Sequence, residues 1–526
     1  MLLAGMSVWS WLEAALTALL ALGLLLAASR HLWTLRWTLS RDRGSSLPLP
    51  KGSMGWPFFG ETLHWLVQGS SFHSARREKY GNVFKTHLLG KPVIRVTGAE
   101  NIRKILLGEH SLVSTQWPQS TQIILGANTL LNASGELHRH RRKILARVFS
   151  RAALESYLPG IQKVVSRELR GWCREPGSIA VYSSAKTLTF RVAARVLLGL
   201  SLEEKQFKDL AKTFEQLVEN LFSLPLNIPF SGLRKGIKAR DMLHEYMEKA
   251  IMEKLQRRNS EDHSDALDFL LNSAKDHGKE FTMQELKESA IELIFAAFFT
   301  TASASTSLIL LLLKHPSATE KIRQELVSHD LNRQCHCLLS VPTGPMTPGA
   351  ECDCQPEINL EKLSRLRYLD CVVKEVLRVL PPVSGGYRTA LQTFELDGCQ
   401  IPKGWSVMYS IRDTHETAAV YQSPPESFAP DRFDSARQED GQGAGRFHYI
   451  PFGGGVRSCI GKELARAILK LLAIELVRTA RWELATPSFP EMQTVPIVHP
   501  VDGLQLFFHP LQPGGASPSR QGSREA

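Results

Sequence analysis

Hydrophobic and polar positions divide the chain into an apolar N-terminal run, a long helical region and several short strand patterns. Residues 8–28 are mostly Leu and Ala, interrupted by Glu13, and are long enough to cross a bilayer. From about residue 136 to residue 385, apolar residues recur at a spacing near 3.6, which predicts helices. Strand patterns lie at residues 83–88, 93–96, 393–396, 406–411 and 504–508. The first two flank Leu89-Gly90-Lys91-Pro92 and predict a β-hairpin.

The apolar run predicts a membrane anchor at residues 1–29. Arg30, Arg36, Arg41 and Arg43 follow it, and the positive-inside bias places the rest of the chain in the cytosol. A cleaved signal peptide, cut near Ala27-Ala28-Ser29, is the competing interpretation, but no basic stretch precedes the run. We therefore expect an anchor in the endoplasmic reticulum membrane, followed by a basic, Pro-rich hinge at residues 30–60.

The net charge of +11 calls for a partner that carries negative charge. Zinc-finger spacing and RNA-binding aromatic motifs are absent from the sequence, so nucleic acid is not the expected partner. A segment at 331–357 contains two C-x-C pairs, which leaves a metal site open, but its irregular pattern favours a surface insertion. Residues 513–526 are rich in Gly, Ser, Pro and charge and are expected to be disordered.

The longest helix predicted from the pattern runs from Met283 to Lys314. Thr282 and Glu285 form a capping box at its start, and His315-Pro316 ends it. Its apolar character would suit a second membrane span. However, Thr and Ser are crowded at residues 300–307, and a polar centre between apolar ends favours a helix buried in protein.

A cysteine near the C-terminus lies in a glycine-rich loop that leads into a helix. Phe452-Gly453-Gly454-Gly455-Val456-Arg457-Ser458-Cys459-Ile460-Gly461 has the form F-x-x-G-x-R-x-C-x-G. Glycines allow backbone N–H groups to approach a sulfur, and a helix start with a nearby arginine lowers a thiol pKa. The loop resembles the cysteine-ligand loop of the cytochrome P450 haem-thiolate monooxygenases. The resemblance implies that Cys459 is the axial ligand of the iron of haem b, that Arg457 neutralises a haem propionate, and that Phe452, Gly455 and Gly461 shape the cofactor site.

Further motifs of this family occur in the expected order. Ala296-Ala297-Phe298-Phe299-Thr300-Thr301 resembles the oxygen-activating segment A/G-G-x-D/E-T-T, in which the residue matched by Thr300 donates protons towards the oxygen being activated. Phe299 replaces the usual acid and cannot relay a proton, so delivery must pass through Thr300 and water.

The remaining family motifs involve charged residues. Glu375-x-x-Arg378, with Arg432 in Pro430-Asp431-Arg432-Phe433, implies a buried charged cluster with a structural role. His138 and Arg142 occupy the positions of a W-x-x-x-R motif that binds a haem propionate, and Arg388 occupies a further such place.

Basic residues outside these motifs indicate an electron-delivering partner. We expect six cations to face the thiolate side of the haem: Arg141, Lys143, Arg147, Lys462, Arg466 and Lys470. A basic patch there suits an acidic flavoprotein, which in this family is NADPH–cytochrome P450 reductase. For Arg141 and Lys143 a plain solvated basic face is the alternative.

Finer resemblance is to the retinoic-acid-hydroxylating branch of the family. It lies in the segments at 112–118, 220–225, 229–233 and 381–388. It implies hydroxylation of all-trans or 9-cis retinoic acid in an apolar pocket. The residues expected to line the pocket are Trp117, Phe222, Phe298, Phe299 and Val383, with Arg95 as the anchor for the carboxylate or, equally, a surface residue.

The fold that the resemblance implies is mainly α with small β-sheets, the cytochrome P450 fold, with the haem domain at residues 61–512. Two other functions stay open. One is a haem-thiolate isomerase or synthase, which needs no oxygen-activating threonine, so Thr300 weighs against it. The other is a non-catalytic haem protein that sequesters retinoid, which is compatible with the missing acid at Phe299.

Overall fold

The structure is a computed structural model that describes residues 8–69, 71–200, 202–256, 265–276, 278, 281–332, 356–417, 420–421, 423–434, 447–494 and 497–511. The tail predicted at 513–526 lies outside these residues, as does most of the insertion predicted at 331–357, including both C-x-C pairs. The chain divides into two compact units. Unit 1 comprises Met1–Gln116 and Gly385–Asp413, and unit 2 comprises Trp117–Ser384 and Thr414–Ala526.

Helices dominate the described part of the chain. They are α1 (Val8–Leu39), α2 (Thr62–Gln68), α3 (Ser71–Tyr80), α4 (Ala99–Leu107), α5 (Gln119–Leu125), α6 (Gly135–Ala146), α7 (Arg151–Arg174), α8 (Val181–Val192), α9 (Glu204–Glu219), α10 (Gly232–Gln256), α11 (Ala266–Asp276), α12 (Met283–Lys314), α13 (Pro316–Ser328), α14 (Leu360–Arg365), α15 (Arg367–Val379), α16 (Ile411–Glu416) and α17 (Lys462–Thr479). The strands are β1 (Val83–Leu88), β2 (Lys91–Val96), β3 (Val113–Thr115), β4 (Ile179–Ala180), β5 (Gly385–Ala390), β6 (Phe394–Leu396), β7 (Cys399–Ile401), β8 (Ser406–Ser410), β9 (Ala480–Leu484), β10 (Met492–Gln493), β11 (His499–Pro500) and β12 (Gln505–Pro510).

Unit 1 is built on a five-stranded sheet with the order β1-β2-β8-β5-β3. β2 and β8 run parallel, and the other neighbours run antiparallel. The hairpin between β1 and β2 turns on Leu89 and Gly90 alone, with φ of 51° and 78°. It is therefore tighter than the sequence predicts, because Lys91 and Pro92 belong to β2 and Pro92 lies opposite His87.

Helix α1 continues about ten residues beyond the predicted end of the anchor. It is long and apolar enough to cross a membrane. Near its C-terminal end, the Trp33 indole N–H donates to the carbonyl of Met54 at 3.1 Å, and the Trp37 and Trp405 rings lie 5.9 Å apart edge to face. The first part of the predicted hinge is thus helical, and indole rings pack it against its own unit.

Unit 2 is organised around α12, whose bounds and cap are those predicted. The Thr282 hydroxyl oxygen accepts from the Glu285 N–H at 3.2 Å, and the Glu285 carboxylate accepts from the Thr282 N–H at 3.0 Å. α12 packs against α8, α15 and α17, and 72% of its most apolar 18-residue stretch is buried. α12 is therefore a core helix of unit 2, in agreement with its polar centre.

Small sheets complete unit 2. β12 lies between β4 and β9 in a three-stranded antiparallel sheet, and β10 pairs with β11. β12 is the strand predicted at residues 504–508. The sheet lies against α7 and α17.

Candidate functional site

The glycine-rich segment before α17 folds back on itself and presents Cys459. The N–H of Cys459 donates to the carbonyl of Phe452 at 2.9 Å, and the N–H of Ser458 donates to the carbonyl of Gly455 at 3.1 Å. Gly455 has a φ of 64°, a conformation that a side chain would strain. The local sequence thus favours this loop conformation.

Cys459 is an exposed residue, yet protein atoms crowd around its thiol and desolvate it. This burial raises the pKa of the thiol. A hydrogen bond from the Gly461 N–H and the positive charges of Arg142 and Lys462 act in the opposite direction. The balance differs from the expectation that the helix start and arginine alone would lower the pKa. A bound metal cation is the additional positive charge that a thiolate in this place requires, so the site fits an iron ligand.

The oxygen-activating segment lies on a part of α12 that is open, although most of the helix is buried. Ala296 is exposed and Ala297 and Thr300 are partly exposed, whereas Thr301 is buried. The Thr300 hydroxyl donates to the carbonyl of Ala296 at 2.7 Å. Small side chains next to open space, on a helix that packs against α17, fit a flat cofactor such as haem. The role of Thr300 in proton delivery stays a prediction.

Arg142 and Arg457 both donate hydrogen bonds to backbone carbonyls, one towards the cysteine loop and one from it. Arg142 donates to the carbonyl of Ser458 at 2.7 Å, and Arg457 donates to the carbonyl of Ala133 at 2.6 Å. His138, one turn before Arg142 on α6, is buried. The structure therefore brings Arg142 to the residue next to Cys459, while propionate binding by these side chains stays a prediction.

Arg388 lies in unit 1, where it is paired with a carboxylate. Its guanidinium is 2.8 Å from the Glu109 carboxylate, and the two side chains are 9% and 1% exposed. Its assignment to a haem propionate also stays a prediction. A propionate bound by Arg388 would share the guanidinium with the Glu109 carboxylate.

Glu375, Arg378 and Arg432 form the buried charged cluster that the motif order predicts. The Glu375 carboxylate lies 2.7 Å from Arg378 Nε and 3.1 Å from Arg432 Nε, and all three side chains are 0% exposed. It also accepts from the Ala429 N–H at 2.8 Å. One carboxylate thus binds two arginines and an irregular backbone segment, which is consistent with a structural role for the cluster.

The expected pocket residues fall into two groups. Phe298 is 1% exposed and packs between Phe190 and Phe214, with ring centroids 5.5 and 5.6 Å away. It packs in the core, on the side of α12 opposite Ala296, and its assignment to the pocket stays a prediction.

The other pocket candidates keep accessible surface. The Trp117 and Phe222 rings lie 6.4 Å apart, and Phe222 is 54% exposed. Phe299 is partly buried and touches Phe298, and Val383 is 36% exposed. These four residues remain candidates for an apolar substrate site.

Arg95 lies on β2 and is only 6% exposed, which excludes the surface alternative. Its guanidinium is 3.6 Å from the Asp413 carboxylate in the same unit. The pairing partly satisfies its charge, so the role of Arg95 as anchor for a substrate carboxylate stays a prediction.

The predicted basic patch is smaller than expected. Arg141 is buried and lies 2.9 Å from Glu285, and Lys470 is buried and lies 2.8 Å from Asp370. Their assignment to an outward surface is wrong, because each is paired with a carboxylate from another helix. Lys143, Arg147 and Lys462 are exposed and Arg466 is partly exposed.

A second buried E-x-x-R was missed by the sequence reasoning. Glu475 and Arg478 on α17 pair at 2.7 Å, with side chains 0% and 1% exposed. Arg478 donates to the carbonyl of Leu331 at 3.5 Å, and Gln162 donates to Glu475 at 3.3 Å. Gln162 also donates to the carbonyl of Pro356 at 3.1 Å. The spacing was visible in the sequence, but many solvated helices share it.

His415 is a further buried residue that the sequence does not single out. Its Nε2 accepts from the Ile450 N–H at 2.9 Å, and its Nδ1 lies 3.1 Å from the carbonyl of Arg378. Burial lowers the pKa of His415 to about 3, so the ring is neutral and Nδ1 is the donor. The ring thus links the charged cluster to the start of the cysteine loop. In the described ranges, no group of three or more His, Cys, Asp or Glu could hold a separate metal ion.

Comparison with known proteins agrees with this geometry. A family model described as "Cytochrome P450" matches residues 50–507. "Cytochrome P450 26C1" of Homo sapiens is 69% identical over 512 residues, which are 97% of this chain and 98% of the relative. "Cytochrome P450 26B1" of Rattus norvegicus is 58% identical over 97% of this chain and 96% of the relative. A solved structure titled "Retinoic acid bound cyanobacterial CYP120A1" superposes with a TM-score of 0.76 at 35% identity, covering 89% of this chain and 100% of that one.

Proposed function

Because the chain belongs to the cytochrome P450 family, we propose that it hydroxylates retinoic acid, all-trans or 9-cis, and so inactivates retinoids by oxidation. The enzyme is a haem-thiolate monooxygenase, and haem supplies the oxygen-activating chemistry when it is bound. The observation that carries the assignment is Cys459, an exposed residue of the glycine-rich loop whose sulfur accepts from the Gly461 N–H.

The chain's own groups have separate tasks in this reaction. Cys459 would hold the haem iron, the Gly461 N–H would hydrogen-bond to its sulfur, and the charge of Arg142 would favour the thiolate. Thr300 lies on the open part of α12, where its hydroxyl passes protons from water. Phe299 cannot relay a proton, so water that reaches Thr300 would supply the protons.

Retinoic acid suits the residues that remain as candidates for the pocket. An apolar polyene would contact the rings of Trp117, Phe222 and Phe299 and the side chain of Val383. For the carboxylate, Arg95 is the cation that the sequence singles out. The superposed cyanobacterial protein is described as bound to retinoic acid, which supports this substrate class.

Electrons come from NADPH through NADPH–cytochrome P450 reductase, which would meet the exposed cations Lys143, Arg147 and Lys462 and the partly exposed Arg466. We place the protein in the endoplasmic reticulum membrane, with α1 as its anchor and the remainder in the cytosol. The length and apolar character of α1 support membrane association.

The test is incubation of the membrane-bound protein with reductase, NADPH and each retinoic acid isomer, followed by mass spectrometry. Hydroxylated product that requires NADPH and is absent with Cys459→Ala membranes supports the proposal. Rearrangement of a peroxide without NADPH would identify an isomerase or synthase instead. Tight retinoid binding without product would identify a sequestering protein.

A further inference from the structure

The irregular segment at residues 126–134, between α5 and α6, is held by carboxylates of α12. The Asn128 N–H donates to Glu288 at 2.9 Å. The Leu130 and Leu131 N–H groups donate to the two oxygens of Glu292 at 2.8 and 2.7 Å. Backbone that lacks helix or strand partners must find other acceptors when it is buried, and here two glutamates supply them.

The same segment is bound from its other side by the cysteine loop. Arg457 donates to the carbonyl of Leu130 at 3.4 Å and to that of Ala133 at 2.6 Å. The peptide unit between Leu130 and Leu131 therefore accepts from Arg457 through its carbonyl and donates to Glu292 through its N–H. It bridges α12 and the loop that carries Cys459.

We propose that Glu292 is a positioning residue of the haem-thiolate site, which fixes the Leu130–Leu131 peptide unit and thereby ties α12 to Arg457 of the Cys459 loop. The proposal rests on membership of the family and does not depend on retinoic acid as the substrate. Thr300 lies two turns after Glu292 on α12, so the tie reaches the helix that carries the oxygen-activating segment.

A carboxylate is the one side chain that satisfies this arrangement. Two N–H donors face two oxygens, and a glutamine of equal size would replace one acceptor by a donor. Burial raises the pKa of Glu292 to about 7, against the opposing effect of the Leu130 and Leu131 N–H groups and of Arg141. The site thus keeps an ionisable group where its burial is costly, in line with a need for both oxygens.

Glu288 provides a matched control on the same helix. It lies one turn before Glu292 and holds the Asn128 N–H, and Gln284 also donates to it at 2.7 Å. The Asn128 side chain in turn accepts from Arg141 at 3.3 Å. In the described part of the chain, the hydrogen bonds of Asn128 go to Glu288 and Arg141 rather than to the cysteine loop. Loss of Glu288 should therefore loosen Asn128 but leave the bridge to Arg457 in place.

The experiment compares Glu292→Gln and Glu288→Gln in the full-length, haem-loaded protein. Hydrogen exchange followed by mass spectrometry should show at least tenfold faster exchange at Leu130 or Leu131 in Glu292→Gln only, because one of these N–H groups loses its carboxylate acceptor. The reduced carbon-monoxide complex of Glu292→Gln should also lose part of its thiolate-type Soret band, while that of Glu288→Gln should not.

Unchanged exchange at Leu130 and Leu131 in Glu292→Gln would overturn the proposal. Equal Soret bands in the two variants, with exchange altered, would limit Glu292 to holding the segment and would overturn its link to the thiolate site. If Glu292→Gln does not fold, Glu292→Asp takes its place, because aspartate retains both oxygens on a shorter side chain. Hydrogen exchange at Leu130 and Leu131 and the Soret band are then measured on that variant and judged by the same outcomes.

Discussion

Glu375→Gln removes one negative charge from a place where two arginines depend on it. The substitution keeps the size of the side chain, so packing is preserved and the change is electrostatic. Arg378 and Arg432 would then lose the carboxylate that they share, and the new amide N–H₂ would face the donors from which Glu375 accepts, including the Ala429 N–H.

The expected cost follows from the burial of all three side chains, which are 0% exposed. Removing one partner of a buried ion pair costs about 3–5 kcal/mol, and the two arginines here place the cost at the upper end. Unfolding entropy is about 2 cal/mol/K per residue, so a domain of this size should lose roughly 5 °C in Tm.

The assay is thermal loss of the thiolate-type Soret band in membranes or detergent, with Glu463→Gln as the control. Glu463 pairs with Arg466 at 3.4 Å on the surface of α17 and is 52% exposed, so its loss should cost about 0–1 kcal/mol. A Tm for Glu375→Gln equal to that of Glu463→Gln would refute the reasoning, because the buried cluster would then contribute no more than a surface pair.

Three further outcomes are expected. Cys459→Ser should abolish the thiolate-type Soret band of the reduced carbon-monoxide complex, and its retention would contradict the assignment of the ligand. Thr300→Ala should lower the amount of product formed per NADPH consumed and raise the amount of hydrogen peroxide. Hydroxylation should slow by about 100-fold or less, because water can substitute for the hydroxyl. Unchanged product per NADPH would mean that protons arrive by another route. Burial raises the folded pKa of Glu292 to about 7, against the opposing charge of Arg141, so the wild-type protein should become less stable as pH rises from about 4.5 to about 7, because the unfolded chain releases this proton first. That fall, up to about 3 kcal/mol, should be missing in Glu292→Gln when Tm is compared at acid and neutral pH, and parallel curves would contradict it.

Features set by neighbouring residues were predictable from the sequence. The ends of α12 follow from its capping box and from His315-Pro316, and the cysteine loop follows from its glycines. The family, the fold class and the haem cofactor are confirmed by the match over residues 50–507 and by the superposed structure. The anchor, hinge and tail boundaries and the roles of the site residues stay predictions.

Partners from distant parts of the chain were not predictable. Arg95 forms an ion pair with Asp413, and Lys470 forms one with Asp370. No local sequence pattern predicts either pair. Phe298 shows a different limit. The motif gives the segment, but only the packing of α12 decides which of two adjacent phenylalanines faces the core.

The second buried E-x-x-R bears on how this chain tolerates additional length. Arg478 binds the carbonyl of Leu331, and Gln162 binds the carbonyl of Pro356 and accepts from the Ile358 N–H at 3.2 Å. Both margins of the segment between them are thus held by side chains of the core, independently of what the segment contains. Doubling the length of a closed loop costs only about 0.6 kcal/mol. This point of the fold is therefore permissive, and segments of different length and composition can be exchanged there during evolution while the helices around Cys459 keep their places.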